Sequence, residues 1–106
     1  MPNVDKIRAL NDQFRTSLIG GRLLLTQGIA GREDTAEILT KVATFDTFDD
    51  NNDPHSEHDF GAIDHRGDRI FWKIDYYDLR ITSGSPDPGD ANVTTRVMTI
   101  MLADEY

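Results

Sequence analysis

The sequence predicts a single α+β domain over residues 1–106, in which an antiparallel sheet of about three strands is packed by two or three helices. A helical stripe opens the chain, and a pattern with the two-residue period of strands fills residues 60–77. The 106 residues supply enough apolar material for one core only. Hydrophobic residues at 38% and charged residues at 28% lie near the globular average, so we expect the chain to fold.

The first element is an amphipathic helix. Apolar residues recur at three- and four-residue steps over residues 4–18, which is the spacing of one helix face. Asn3 is a candidate N-cap, and Gly20-Gly21 is a candidate stop.

A short apolar run and a second helix follow. Residues 22–26 are too few for an ordinary helix and predict a buried strand. Gly28 and Gly31 then frame a turn. Acidic residues precede a new helical stripe, so the second helix is predicted from about residue 32 to residue 45.

A β-hairpin is predicted around the polar connection of residues 65–68, which contains a glycine. Its strands cover residues 60–64 and 69–77. In the second strand, alternate residues should face the core, namely Ile70, Trp72, Ile74 and Tyr76. The residues expected in the core of the whole domain include Phe14, Ile38, Leu39, Trp72, Ile74 and Val97.

The last element is ambiguous between helix and strand. Val93, Val97, Ile100 and Met101 fit one helical face, whereas the Thr and Val content suits a strand. We predict a helix for residues 93–104, because the segment is long and ends in Met-Leu-Ala-Asp-Glu.

Negative charge is concentrated in one stretch of the chain. The formal net charge is -8, and residues 42–65 contain seven acidic residues, all three histidines and no Lys or Arg. Asx residues and a proline within this stretch favour a loop over regular structure. We call residues 46–59 the acidic loop, and we expect it to be the contact surface of the protein.

Composition excludes several classes of function. The absence of cysteine removes disulfides, thiol catalysis and Cys-ligated metal sites. The acidic balance disfavours direct binding to nucleic acid, because phosphate binders need Lys and Arg. No apolar run has the length of a membrane span, and nothing resembles a signal peptide, so a cytoplasmic protein without membrane contact is the expectation.

Several motifs resemble a known family. They are Asn52-Asp53-Pro54, Glu57-His58-Asp59-Phe60-Gly61, Trp72-Lys73-Ile74-Asp75-Tyr76-Tyr77-Asp78, Ser85-Pro86-Asp87-Pro88 and Thr95-Arg96-Val97-Met98-Thr99-Ile100-Met101-Leu102-Ala103. With these motifs the chain resembles the bacterial domain-of-unknown-function 3768 family over nearly its whole length. The resemblance implies a small soluble bacterial product, encoded on chromosomes, plasmids or other mobile elements, and it implies no particular activity.

One alternative function is that of a divalent-metal-dependent enzyme. Carboxylates suit Ca²⁺, Mg²⁺ or Mn²⁺, and histidines suit transition metals. The candidate ligands would be Asp53, His55, Glu57, His58 and Asp59. The residues from Asp49 onwards do not match the calcium-binding loop of an EF-hand, because Pro54 and Phe60 stand where glycine and glutamate are required. No nucleophile motif or phosphate-binding loop is present, so we assign no catalytic residue and expect no cofactor.

The function predicted first is that of a small acidic protein-interaction module. It would present carboxylates to a basic protein surface or a nucleic-acid-binding complex, and an inhibitor of the anti-CRISPR or antirestriction type is one form of it. The predicted contact residues are Asp46, Asp49, Asp50, Asp53, Glu57 and Asp59. A structural or assembly module is a further alternative, in which exposed apolar surface would form the interface. The sequence does not specify the oligomeric state.

Overall fold

The computed structural model describes residues 3–106 and has an α+β architecture with one sheet. The sheet has four strands, one more than the sequence predicted, and their order is β1-β4-β3-β2. Three α-helices and a short 3₁₀ helix accompany it within these residues. The bounds are α1 Val4–Ser17, β1 Gly21–Leu25, α2 Gln27–Ala30, α3 Thr35–Ala43, β2 Phe60–His65, β3 Asp68–Tyr77, β4 Thr95–Leu102 and the 3₁₀ helix Ala103–Glu105.

The sheet is mixed, so the prediction of an antiparallel sheet is correct for only part of it. β2 pairs with β3 and β3 with β4 in antiparallel fashion. β1 instead lies parallel to β4, with Gly21 opposite Arg96 and Leu25 opposite Ile100. Parallel neighbours need a long crossover connection, and here most of the chain provides it. A local sequence pattern carries no sign of such a distant partner.

The predicted hairpin is confirmed. His65 pairs with Asp68, which leaves Arg66 and Gly67 as the turn, and both have positive φ angles of 50° and 86°. Two left-handed residues are typical of a type I′ turn, whose twist matches that of the strands. The predicted alternation in β3 also holds, since its core-facing positions are buried or half-buried.

The predicted helix over residues 93–104 is wrong, because residues 95–102 form strand β4. This strand lies between two others and is buried on both faces: Arg96, Val97 and Met98 are at most 5% exposed. A strand buried on both sides lacks the alternation of apolar and polar residues and reads as a continuous apolar run. Such a run has no period that separates it from a helix.

The N-terminal elements follow the predictions with shifted ends. α1 is capped by Asn3, whose Oδ1 accepts the Lys6 N–H at 3.1 Å, but it ends at Ser17, and its C-cap Leu18 has a positive φ of 61°. The second predicted helix is shorter than expected and covers Thr35–Ala43 as α3. The strand predicted over residues 22–26 is present as β1, Gly21–Leu25, but it is an edge strand with Leu24 54% exposed, so its predicted burial is wrong. The segment predicted to be a turn between Gly28 and Gly31 instead lies in the one-turn helix α2, Gln27–Ala30, and its C-cap Gly31.

The helices cover one face of the sheet, where Phe14, Ile38 and Val42 join Trp72 and other strand residues in the main core. Of the predicted core residues, five are buried and Leu39 lies at the margin, packed against the others. Among residues 3–106 the structure contains no helix with both the length and the apolar character needed to span a membrane.

Gly61 allows the Trp72 indole to lie directly against the backbone of β2. A Cβ atom at position 61 would lie 2.7 Å from Trp72 Cε2 and 2.9 Å from Phe45 Cε1. Real Cβ atoms do not approach other heavy atoms so closely, so a side chain here would push Trp72 and Phe45 out of place.

We expect Gly61→Ala to lower the free energy of unfolding by about 1–3 kcal/mol, because it overpacks a filled core. Gly84→Ala is the control, since its Cβ would meet no heavy atom within 4 Å. Urea denaturation of both variants measures the difference. Equal unfolding midpoints for the two variants would contradict the close packing of Trp72 on Gly61.

Candidate functional site

The acidic loop joins α3 to β2 without regular secondary structure, as predicted. Its first half is held by bonds between side chains and backbone. Asp49 Oδ1 accepts the N–H groups of Asn51 and Asn52 at 2.9 and 3.0 Å, and the Asn52 amide donates to the Thr47 carbonyl at 2.8 Å. Such local bonds give a loop a defined shape in place of a sheet or helix ladder.

Asp53 is the internal anchor of the loop. Its side chain is buried at 5% exposure, and Oδ1 accepts the N–H groups of Glu57 and His58 at 3.0 and 3.1 Å. His58 has a positive φ of 55°, as does Ser56 at 57°. Asp53, a predicted contact residue, is therefore occupied inside the protein.

His58 connects the loop to α1. Its ring stacks on Phe48 with centroids 3.7 Å apart and planes 3° from parallel. Nδ1 hydrogen-bonds to Asp12 at 2.9 Å, and Nε2 lies 3.7 Å from Asp53 Oδ2. His58, a predicted metal ligand, therefore links the acidic loop to α1.

Arg15 lies beneath this stack and was missed by the sequence analysis. It is 4% exposed, and its guanidinium donates to the carbonyls of Val42, Ala43 and Phe45 at 2.8–3.2 Å. The guanidinium carbon lies 5.2 Å from the centroid of Trp72 and 5.5 Å from that of Phe48. The helical period could have indicated its position, because residue 15 lies one turn after the buried Asn11 on the same side of α1.

A second buried network holds the end of the loop. The Asn11 amide donates to the Glu57 carbonyl at 3.0 Å and to Tyr76 Oη at 2.8 Å, and Tyr76 donates to Glu57 Oε1 at 2.7 Å. Arg96 Nε donates to Asn11 Oδ1 at 2.7 Å. Burial, together with the bond to Glu57, raises the pKa of Tyr76, and burial lowers the pKa of Arg96.

Asp59 is a half-buried carboxylate at the start of the hairpin. Burial raises the pKa of Asp59, and the nearby carboxylates of Glu57 and Asp53 raise it further. The Asp59 carbonyl accepts the Ile74 N–H at 2.8 Å, which continues the hairpin ladder by one step. The residue lies next to the sheet and is only partly accessible to a partner.

The remaining predicted contact residues, Asp46, Asp49 and Asp50, are exposed. Within residues 3–106, the side chains of Asp46 and Asp50 form no hydrogen bond or ion pair, whereas Asp49 shapes the turn described above. The structure therefore divides the predicted set of six into three exposed carboxylates and three that are buried or half-buried.

The predicted metal ligands do not converge. His55 is exposed, while Asp53 and His58 face the interior. Among residues 3–106, no three His, Asp or Glu side chains are placed to hold one metal ion together. The third histidine, His65, belongs to β2 and bonds to Asp34 at 2.9 Å. Arg32 and then His65 hold the pKa of Asp34 well below its usual range.

A groove of about 590 Å³ lies beside the exposed carboxylates. Its volume falls in the range of roughly 300–1,000 Å³ that is typical of ligand sites. Residues of the acidic loop and of the hairpin line it together, among them Phe45, Asp49, Asn52, Phe60, Ala62 and Phe71.

Comparison with known proteins identifies the family. A family model described as "Protein of unknown function (DUF3768)" matches residues 25–105. The chain belongs to the DUF3768 family. The match confirms the resemblance and includes the acidic loop, the hairpin and β4 of this DUF3768 protein, but it starts after α1, which supplies Asn11, Asp12 and Arg15. Neither the curated proteins nor the solved structures contain a match to the chain.

Asp53→Ala should lower the free energy of unfolding of this DUF3768 protein by about 1–3 kcal/mol, because two N–H groups lose a charged acceptor in a buried place. Asp50→Ala, an exposed neighbour, should change it by less than about 0.5 kcal/mol. Urea denaturation at pH 7 checks both values. A loss for Asp50→Ala as large as that for Asp53→Ala would contradict the anchoring role.

Asp59→Asn should stabilise the DUF3768 fold at pH 7. A raised pKa in the folded state means that the folded protein holds the proton more tightly, so stability falls as pH rises from the unfolded pKa through the folded one. The neutral amide avoids this loss. The gain in urea midpoint should disappear below about pH 3, where the carboxyl is protonated in both states. A gain that persists there would contradict this cause.

Proposed function

We propose that this DUF3768 protein is a small acidic interaction module that binds a basic protein surface, such as that of a nucleic-acid-binding complex. The observation that supports the proposal is that the residues of the acidic loop fall into two groups, one bonded inside the protein and one exposed. Asp53, Glu57 and His58 hold the loop from inside, while Asp46 and Asp50 remain exposed with no partner within residues 3–106.

A loop fixed in advance suits recognition. Binding costs free energy for each side chain and loop that must be ordered, so a loop with a defined shape loses less when a partner binds. The bonds of Asp49, Asn52 and Asp53 order this loop before any contact is made. The exposed carboxylates then act at fixed relative positions.

The charge pattern favours a basic protein over nucleic acid. A stretch with seven acidic residues and no Lys or Arg repels phosphate and attracts cationic surfaces. The attraction extends to about 8 Å at physiological salt, so it accelerates association as well as stabilising the complex. If the partner surface normally binds nucleic acid, the loop would compete with phosphate, and the protein would act as an inhibitor of the anti-CRISPR or antirestriction kind.

Comparison of immobilised variants in a lysate of the cells that make the protein tests the proposal. The double variant Asp46→Asn/Asp50→Asn removes two exposed charges without removing a bond of the loop. We expect it to lose at least about 90% of a specific partner captured by the wild type, because each contact charge supports both steering and affinity. Quantitative mass spectrometry at about 50 and about 300 mM salt measures the loss.

The control double variant is Glu33→Gln/Asp104→Asn, which has the same total charge and changes two exposed acids outside the loop. This variant should capture as much of the partner as the wild type does. Equal loss in the two double variants would indicate an effect of net charge only, and no loss in either would remove the acidic loop as the contact surface. Inhibition is then measured as the release of a labelled DNA or RNA duplex from the purified partner.

A further inference from the structure

Strand β2 is an edge of the sheet with one side of its backbone unpaired. Asp59 O accepts the Ile74 N–H, and the register from His65–Asp68 backwards is regular. In an antiparallel pair, bonded and non-bonded positions alternate, so Gly61 and Ile63 bond to β3. The N–H and C=O groups of Phe60, Ala62 and Asp64 therefore point away from the sheet.

Part of this edge is closed within the protein. Lys41 Nζ donates to the Asp64 carbonyl at 3.1 Å, beside the hairpin turn. β2 is the last strand in the sheet order, and no other segment of residues 3–106 bonds to the outward backbone groups of Phe60 and Ala62. Exposed edges are usually protected by charged residues or proline, and positions 60–62 have neither.

The groove described above straddles this open edge. Phe45 lies on the core side, where its ring centroid is 5.6 Å from that of Trp72. Phe60, Ala62 and Phe71 lie on the outer face of the sheet, and all of them line the same groove as Phe45. A groove lined from both faces must pass across the strand edge, so the unpaired groups of Phe60 and Ala62 lie within it.

The two sides of the groove differ in chemistry. The outer side is aromatic, because the ring centroids of Phe60 and Phe71 are 5.3 Å apart and Tyr106 lies 5.7 Å from Phe71. The loop side carries Asp49 and the amides of Asn51 and Asn52, with the other exposed carboxylates of the loop close in sequence. Arg69 also lines the groove but bonds to Asp64 at 3.1 Å, so the loop side is the one that attracts cations.

We propose that this groove binds an extended segment of the partner as an added strand on β2, with Lys or Arg alternating with apolar residues. Successive side chains of a strand point to opposite sides. The apolar ones would contact Phe60 and Phe71, and the basic ones would face Asp49. Backbone bonds to Phe60 and Ala62 supply affinity that does not depend on sequence, as in other cases of strand addition. This inference rests on the proposed function and specifies how the protein recognises its partner.

The probe is a fluorescein-labelled heptapeptide, Lys-Val-Lys-Val-Lys-Val-Lys, whose binding is measured by fluorescence anisotropy. Two isomeric peptides carry backbone N-methyl groups, one on its three valines and the other on three of its lysines. In an added strand only one alternate set of N–H groups faces β2. We expect one isomer to bind at least about tenfold more weakly than the parent and the other less than about threefold, because two or more bonds are lost in one case only.

Amide exchange supplies a readout without any change in the peptide. In isotope-labelled protein, the amide hydrogens of Phe60 and Ala62 should exchange with solvent at least about tenfold more slowly when the parent peptide is bound. Those of Gly61 and Ile63, which already bond to β3, should change little. Protection that appears on β1 instead would overturn the proposal.

The outcomes separate this inference from the function on which it rests. If both methylated isomers bind as tightly as the parent, or if the parent does not bind, strand addition is wrong, while the lysate comparison of the charge variants still decides the proposed function. If the peptides show the expected asymmetry, Asp46→Asn/Asp50→Asn should weaken the parent peptide by at least about threefold, and Glu33→Gln/Asp104→Asn should not.

Discussion

The guanidinium of Arg15 places a positive charge inside this protein, and the groups around it determine where the acidic loop can run. Burial of such a charge is tolerated only when its donors are bonded, because desolvation costs several kcal/mol. The carbonyls of Val42, Ala43 and Phe45, at the end of α3, accept bonds from Nη1, and Asp12 accepts one from Nη2, whereas Nε has no partner among residues 3–106. The three carbonyls also fix the point at which the chain leaves the helix and becomes the loop.

The aromatic rings extend this arrangement outwards. Trp72 and Phe48 lie against Arg15, and His58 stacks on Phe48 and bonds to Asp12 of α1. His58 is parallel to Phe48, and Phe48 meets Trp72 edge to face, so these contacts link the core to the surface of the loop. The Arg15 guanidinium lies at the inner end of this arrangement, where it forms an ion pair with Asp12 at 3.2 Å, and the exposed carboxylates of the loop lie at the surface.

The sequence predicts those parts whose causes are local. The turn at Arg66 and Gly67, the alternation in β3 and the stripe of α1 depend on residues within a few positions of one another. The parallel pairing of β1 and the strand nature of β4 depend on distant partners. In the candidate site, composition indicates an acidic loop, but it does not distinguish Asp50, which is exposed, from Asp53, which is buried. That difference arises from the backbone turn at residues 56–58, which no single residue type requires.

The pairing of β1 with β4 has a consequence for the order of folding during synthesis. Thr26 and Ile100 bond across 74 positions of sequence. On the ribosome, β1 therefore emerges long before the strand that completes it, and its leucines remain without their partner until the hairpin and β4 have been translated. Contacts between such distant segments slow folding, because the intervening chain must first be brought together. The contacts of the β2–β3 hairpin are close in sequence, so the hairpin can form before β4 is present, whereas β1 can pair only after β4 has been made, because β4 is its neighbour in the sheet.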